Sequence, residues 1–149
     1  MTRVCLIGKS DIDLREELLA REGARNALSP YALSAPWHNT VAVSTVSLGT
    51  SISLLNDLDW YLTRFTRDAI IYDPSVSTVE WLSRKLGEAI REQSIRRDET
   101  GLLLKIYGVS GRELVEPMYV QRVDTRLPEY DLRDVTDTLA IQITEEEFG

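Results

Sequence analysis

Between Asn26 and Asn56 the chain carries no Asp, Glu, Lys or Arg, although charged residues make up 28% of its 149 residues. A stretch this long without charge has to be covered, either by the rest of the fold or by a partner. It is not a membrane span, because nine Ser and Thr residues interrupt it and it holds no apolar run of about eighteen residues. Within it "TVAVSTVSL" is rich in β-branched residues and lacks polar alternation, the mark of a central strand covered on both faces. The phase of its valines shifts, which places a bulge near Ser44–Thr45.

Beyond Gly49 the pattern becomes helical. Leu55, Leu58, Leu62, Phe65 and Ala69 recur at helical spacing, predicting a central helix over 52–72 that "Asp73-Pro74" ends. Upstream, "TRVCLIG" reads as a strand, and "KSDIDLREELLAREGARNAL" as a helix capped by Ser10 or Asp11, with Gly23 weakening its end. "Ser77-Thr78-Val79-Glu80" has the form of a capping box and opens a third helix through Val79, Leu82, Leu86 and Ile90. "LLLKIYGV" and "ELVEPMYVQRV" flank Ser110-Gly111-Arg112 as a hairpin, with Pro117 putting the second strand on an edge or at a bulge. The polar loop "DTRLPEYDLRD" precedes a last strand, "DTLAIQI".

With no linker and no internal repeat, the expected fold is one domain over 1–149 of α/β class, with α+β as the alternative. It has a mixed sheet of about five strands and three helices, a βαβ start and a C-terminal antiparallel meander.

Charge is distributed unevenly. The formal net charge is −7, yet residues 1–112 hold 14 basic and 14 acidic residues while 113–149 hold 3 and 10. Glu129, Asp131, Asp134, Asp137 and Glu145–Glu147 therefore read as a solvated negative face rather than a metal site. The single cysteine, Cys5, excludes an internal disulfide, and the first residues lack the pattern of a secretory signal, so a cytoplasmic location is expected.

Two junctions share one design. "Leu6-Ile7-Gly8-Lys9-Ser10" and "Val46-Ser47-Leu48-Gly49-Thr50-Ser51" both run strand, glycine, hydroxyl, helix. If the two strands are parallel, Gly8, Lys9 and Ser10 meet Gly49, Thr50 and Ser51 at one sheet edge, where helix N-termini would accept a small anion or a nucleotide phosphate. The plainer reading is that each glycine makes a turn and each hydroxyl caps its own helix. A P-loop is not complete, because Arg3 stands where its first glycine belongs. The one histidine, His38, lies in "Pro36-Trp37-His38-Asn39" and reads as part of a packed loop. Asp11 and Asp13 lie near the first junction, but only that proximity speaks for magnesium. No catalytic residue, metal-ligand set or cofactor is therefore assigned.

Trp60, Arg64, Arg67 and Ile71 form a second stripe on the predicted central helix, and Trp and Arg are enriched where protein partners bury hot spots. Burial of Trp60 is expected there, either under the third helix with Trp81 or in an interface. Helix, helix and hairpin over 52–123 also suggest a winged helix, with Arg84, Lys85, Arg91, Arg96 and Arg97 as its basic residues. Glu80, Glu88 and Glu92 interleave with those bases, so nucleic acid ranks third.

The blocks "TRVCLIG", "TVSLGTSISLLNDLDWYLTRF", "PSVSTVEWLSR", "LKIYGV" and "LVEPMYV" together resemble a family of short archaeal proteins found chiefly in halophiles. The resemblance implies a cytoplasmic protein of unassigned function, and it carries over no functional residue. The leading reading is a non-catalytic domain acting through protein contacts, most simply as a homo-oligomer. The second is a small-ligand or nucleotide-phosphate binder or enzyme built on the two glycine turns.

Overall fold

The computed structural model describes residues 1–95, 100–122 and 137–148. In chain order they form β1 (Thr2–Gly8), α1 (Leu14–Leu19), α2 (Glu22–Leu28), β2 (Thr40–Thr45), α3 (Leu48–Asp57), α4 (Asp59–Phe65), β3 (Thr66–Tyr72), β4 (Trp81–Ser83), α5 (Arg84–Arg91), β5 (Leu103–Ser110), β6 (Glu113–Gln121) and β7 (Asp137–Gln142). A 3-10 turn at Glu145–Glu147 follows. The strands make one seven-stranded sheet in the order β2-β1-β3-β4-β7-β5-β6. Among the described strands only β4 and β7 pair in parallel.

The class is mixed α/β as expected, but with seven strands and five helices among the described residues rather than about five and three. The predicted 52–72 helix is the largest difference. It begins at Leu48, where Ser47 accepts the Thr50 N–H, bends at Leu58 into α4, and stops at Phe65. Residues 66–72 continue as β3 because "TRDAIIY" finds both edges paired, by β1 and by β4. Ser77 does accept the Val79 and Glu80 N–H groups, yet the turn it closes leads into β4, and α5 starts at Arg84 under a Ser83 cap. The first helix is likewise two, α1 capped by Asp13 and α2 containing Gly23.

The start is not βαβ. β1 and β2 are antiparallel in unbroken register from Thr2↔Thr45 to Ile7↔Thr40, so β2 has no bulge at Ser44–Thr45. β2 is buried as expected but lies at the edge of the sheet, where Ser34 and Ala42 exchange backbone hydrogen bonds along its outer side. The C-terminal strands are not a simple meander, since β7 pairs with β5 and leaves β6 outermost. Pro117 has both predicted properties: β6 is the other edge, and Tyr107 faces two residues there, Glu116 and Pro117.

The two faces of the sheet are covered differently. Every helix contributes to a core over one face, with Leu14, Leu18, Leu28, Leu55, Leu62 and Leu86 packed on Val4, Leu6, Val43 and Ile71. Cys5, Ile7, Ile70, Trp81, Tyr107, Val109 and Ile141 are buried on the other face, and among the described residues no helix residue belongs to that cluster. The sheet covers this second face by curling. His38, just before β2, donates its backbone N–H to the Arg112 carbonyl beside β6 at 2.8 Å. In a flat sheet, six strand spacings of about 4.8 Å would hold these edges about 29 Å apart. Between β3 and β5, Asp68 accepts from Lys105 Nζ at 2.8 Å and from the Tyr107 hydroxyl. Burial in this interior pushes the Cys5 thiol up to about 12.

Glu145 and Glu146 are exposed, while Glu147 accepts the Ser83 hydroxyl at 2.6 Å and the Thr144 N–H at 3.0 Å, so its carboxylate is partly structural. Glu129, Asp131 and Asp134, the loop containing them, and Arg96 and Arg97 lie outside the described residues. No helix among the described residues is long and apolar enough to cross a membrane.

Candidate functional site

Curling brings three segments to one end of the sheet: the turn after β1, the loop before β2, and the tip of the β5–β6 hairpin. Between them lies a cleft of about 590 Å³. Its lining includes Gly8, Ser10 and Arg15 from the first segment, Trp37, His38 and Asn39 from the second, and Arg112, Glu113 and Leu114 from the third. Arg67 enters from β3.

Asn39 builds the wall. Its backbone is left-handed, φ 56°, a conformation that asparagine tolerates better than most residues. From there its Oδ1 accepts the Leu14 N–H at 2.8 Å, while its Nδ2 donates to the Lys9 and Ile12 carbonyls at 2.9 and 3.0 Å. One side chain thus satisfies the turn between β1 and α1. Gly8 serves this packing, since a Cβ there would come within 2.7 Å of Asn39 Nδ2 and 2.8 Å of the Leu14 Cβ. The glycine is required here by the close approach of Asn39 and Leu14.

The hairpin tip closes the other side. Gly111 takes φ 62° in the turn, and the Arg112 guanidinium donates to the Ala35 carbonyl. His38 Nδ1 and Glu113 Oε1 are 3.9 Å apart and both about two-thirds exposed, an arrangement worth little on its own.

Arg67 is present because of a bulge. Ile7 pairs with Asp68 and Gly8 with Thr66, so Arg67 is an extra residue in β3. Both Arg67 and Asp68 consequently face the curled interior, Arg67 lying 5.5 Å over the Tyr107 ring and Asp68 accepting the Tyr107 hydroxyl. Burial and the Asp68 carboxylate push the Tyr107 phenol upward, which keeps it protonated as that donor.

The two glycine junctions do not share a crevice. With β1 and β2 antiparallel, Gly8 lies beyond the Ile7↔Thr40 end and Gly49 beyond the Thr2↔Thr45 end. Thr50 gives its N–H to Ser47, the Ser51 hydroxyl is buried 2.6 Å from that of Thr45, and Gly49 sits beneath Arg91, whose Nε is 3.0 Å from the position of a Cβ. The second junction is therefore a capped helix start. Of the first, Gly8 and Ser10 line the cleft, while the Lys9 backbone is spent on Phe65 and Asn39.

The Trp60 stripe is dispersed because the helix ends at Phe65. Trp60 is 53% exposed with the Arg64 guanidinium 3.6 Å over its ring, Arg67 lines the cleft and Ile71 is fully buried in the helix-side core. Trp81 does not cover Trp60, since it packs on Trp37 and Tyr72 on the other face of the sheet. A winged helix is absent as well: β3 and β4 interrupt the expected helix pair, and Arg84 is committed to Asp59 and Glu88. In a second groove of about 240 Å³ near Thr66 and Arg84, Asp68 pairs with Lys105, Arg84 with Asp59 and Glu88, and Glu147 accepts the Ser83 hydroxyl.

Sequence reasoning missed Asn39, Arg15 and Arg112 as site residues. The signal for Asn39 was a His-Asn step before a β-branched run, where a left-handed residue often starts a strand. Arg112 was placed in its turn, but its long-range contact carries no local signal.

The chain is thus a mixed α/β protein with a polar cleft at the seam of a curled sheet. It belongs to DUF5804, a protein family of unknown function, which matches residues 2–109. That span includes Gly8, Asn39 and Arg67 and stops short of Arg112. No curated protein and no solved structure matches the chain.

Replacing Asn39 with Ala removes three hydrogen bonds from a half-buried turn and should cost about 2–4 kcal/mol by urea denaturation. Asn39→Gly, which keeps the left-handed backbone free of strain, should cost less. A loss below about 0.5 kcal/mol for Asn39→Ala would contradict this role.

Proposed function

We propose that this protein is a non-catalytic binding protein whose cleft takes a small anionic ligand. The observation that supports this reading best is the gathering of Arg15, Arg67, Arg112 and His38 around one concavity in a chain of net charge −7. The volume lies within the 300–1,000 Å³ or so typical of small-molecule sites, and the lining mixes apolar walls with a few convergent polar groups. Since only the first glycine junction borders the cleft, the ligand is held by arginine side chains rather than by two helix N-termini. A cytoplasmic setting, expected from the lone cysteine, is part of this reading.

Thermal melts at constant ionic strength test it. A ligand present at 100 times its Kd adds about 2.7 kcal/mol, which for a chain of this size raises Tm by about 5–10 °C. Arg15→Glu should weaken that rise several-fold while leaving the ligand-free Tm unchanged, because Arg15 is exposed. No saturable rise with organic acids, inorganic phosphate or nucleotides would refute the reading.

Self-association is a second reading, supported by one observation: Trp60 remains 53% exposed within the chain. Fully burying a large apolar side chain is worth about 1.5–3 kcal/mol, and the indole stacked under Arg64 is an anchor of the kind a partner copy would bury. Sedimentation of the wild type should then show a dimer, and Trp60→Glu a folded monomer whose Tm no longer depends on protein concentration. A monomeric wild type would remove this reading and leave the cleft unaffected.

A further inference from the structure

We propose that the ligand is an organic monocarboxylate with an apolar body, and that Arg67 grips its carboxylate. This rests on the anion-binding reading of the cleft and narrows it.

Arg67 is distinguished from the other cleft cations by what it lacks. Arg112 is tied through Nη2 to the Ala35 carbonyl, and Arg15 is exposed to water. Arg67 is 28% exposed at its side chain, yet its ion partner is Glu116 at 3.5 Å, itself 90% exposed. A guanidinium that has given up much of its water for so weak a pair retains donors to offer. The bulge in β3 aims it into the cleft, and the Tyr107 ring supports one side of it at 5.5 Å. Tyr107 cannot swing away, because its hydroxyl is bound to Asp68, which Lys105 holds in turn. The planar fork of a guanidinium fixed in this way matches the two oxygens of a carboxylate.

Charge selects the carboxylate over a phosphate. Three arginines face Asp13 and Glu113 in the lining, and Glu116 stands 3.5 Å from Arg67, so three carboxylates lie close to the three guanidinium groups. A monoanion meets less repulsion from those carboxylates than a phosphate monoester, which brings about −1.5 to −2 at neutral pH. Ile7, Trp37 and Leu114 line the same cleft, so a ligand that fills it presents apolar surface to them as well.

Calorimetric titrations with phenylacetate, hexanoate, phenyl phosphate and inorganic phosphate, at constant ionic strength, test the proposal. Both carboxylates should bind saturably at one site, with phenyl phosphate at least ten-fold weaker. Arg67→Lys and Arg67→Met should each lose ten-fold or more in carboxylate affinity while melting within a degree or two of the wild type without ligand. Two variants guard against one that fails to fold. Phenyl phosphate binding as tightly as phenylacetate would overturn the carboxylate assignment and leave the anion site standing. Carboxylate binding that survives both Arg67 variants but is lost in Arg15→Glu would overturn the role of Arg67. Binding of none of the four at millimolar concentration would overturn the proposal and the anion-binding reading together.

Discussion

All five helices of the described chain lie over one face of the sheet, and among the described residues the other face is buried by strands and loops. Cys5, Ile7, Ile70, Tyr107 and Ile141 are nearly dry, and no described helix packs with them. Leaving a large apolar side chain in water forgoes about 1.5–3 kcal/mol each. Curling the sheet until β3 meets β5, and the loop before β2 meets the hairpin tip, avoids that loss. The edge strands never pair along their length, however. A seam remains, closed by the His38–Arg112 backbone hydrogen bond and the Arg112 contact to Ala35.

The cleft follows from the seam. Where two sheet edges approach without zipping together, their turns enclose space, and the residues around it are those that turns favour. Asn39 holds the left-handed position, Gly8 permits the close approach, and Gly111 makes the hairpin turn. The bulge then converts β3 from a purely structural strand into one that presents Arg67 inward. Pro117 and its own bulge on β6 blunt the outer edge, which would otherwise offer unpaired backbone to another strand. Stability and binding capacity are thus linked through the same few loops.

Much of this was legible in the sequence where local chemistry decides the outcome. "TRVCLIG" is a strand, the Ser110–Arg112 hairpin lies where its glycine places it, and Pro117 marks an edge. The uncharged 26–56 segment is covered only in part: β2 is largely buried and α3 packs on the sheet, while Pro30, Ala32, Ala35 and Val46 are exposed. Strand direction was not legible. The Gly8 and Gly49 junctions look alike locally, but the α1–α2 pair turns the chain back so that β2 runs against β1. Nor was the end of α4, because Leu62, Phe65 and Ala69 keep helical spacing across it. Pairing on both sides of Thr66–Tyr72 overrides that periodicity. Dispersal of the Trp60 stripe is the direct consequence. The cleft itself was only half legible, through Gly8 and Ser10, since its arginines come from segments far apart in the chain.

Nuclear Overhauser contacts across the seam are the most direct test of self-burial. The His38 amide lies 2.8 Å from the Arg112 carbonyl, whereas a flat sheet would separate these residues by about 29 Å. With the seam closed, the His38 amide proton should show contacts to Arg112 and Glu113, and the Asp68 β-protons should show them to Lys105 and Tyr107. A hairpin tip whose contacts run only along β5 and β6, with none to Trp37, His38 or Asn39, would mean that the sheet is open, and neither the cleft nor its ligand would follow.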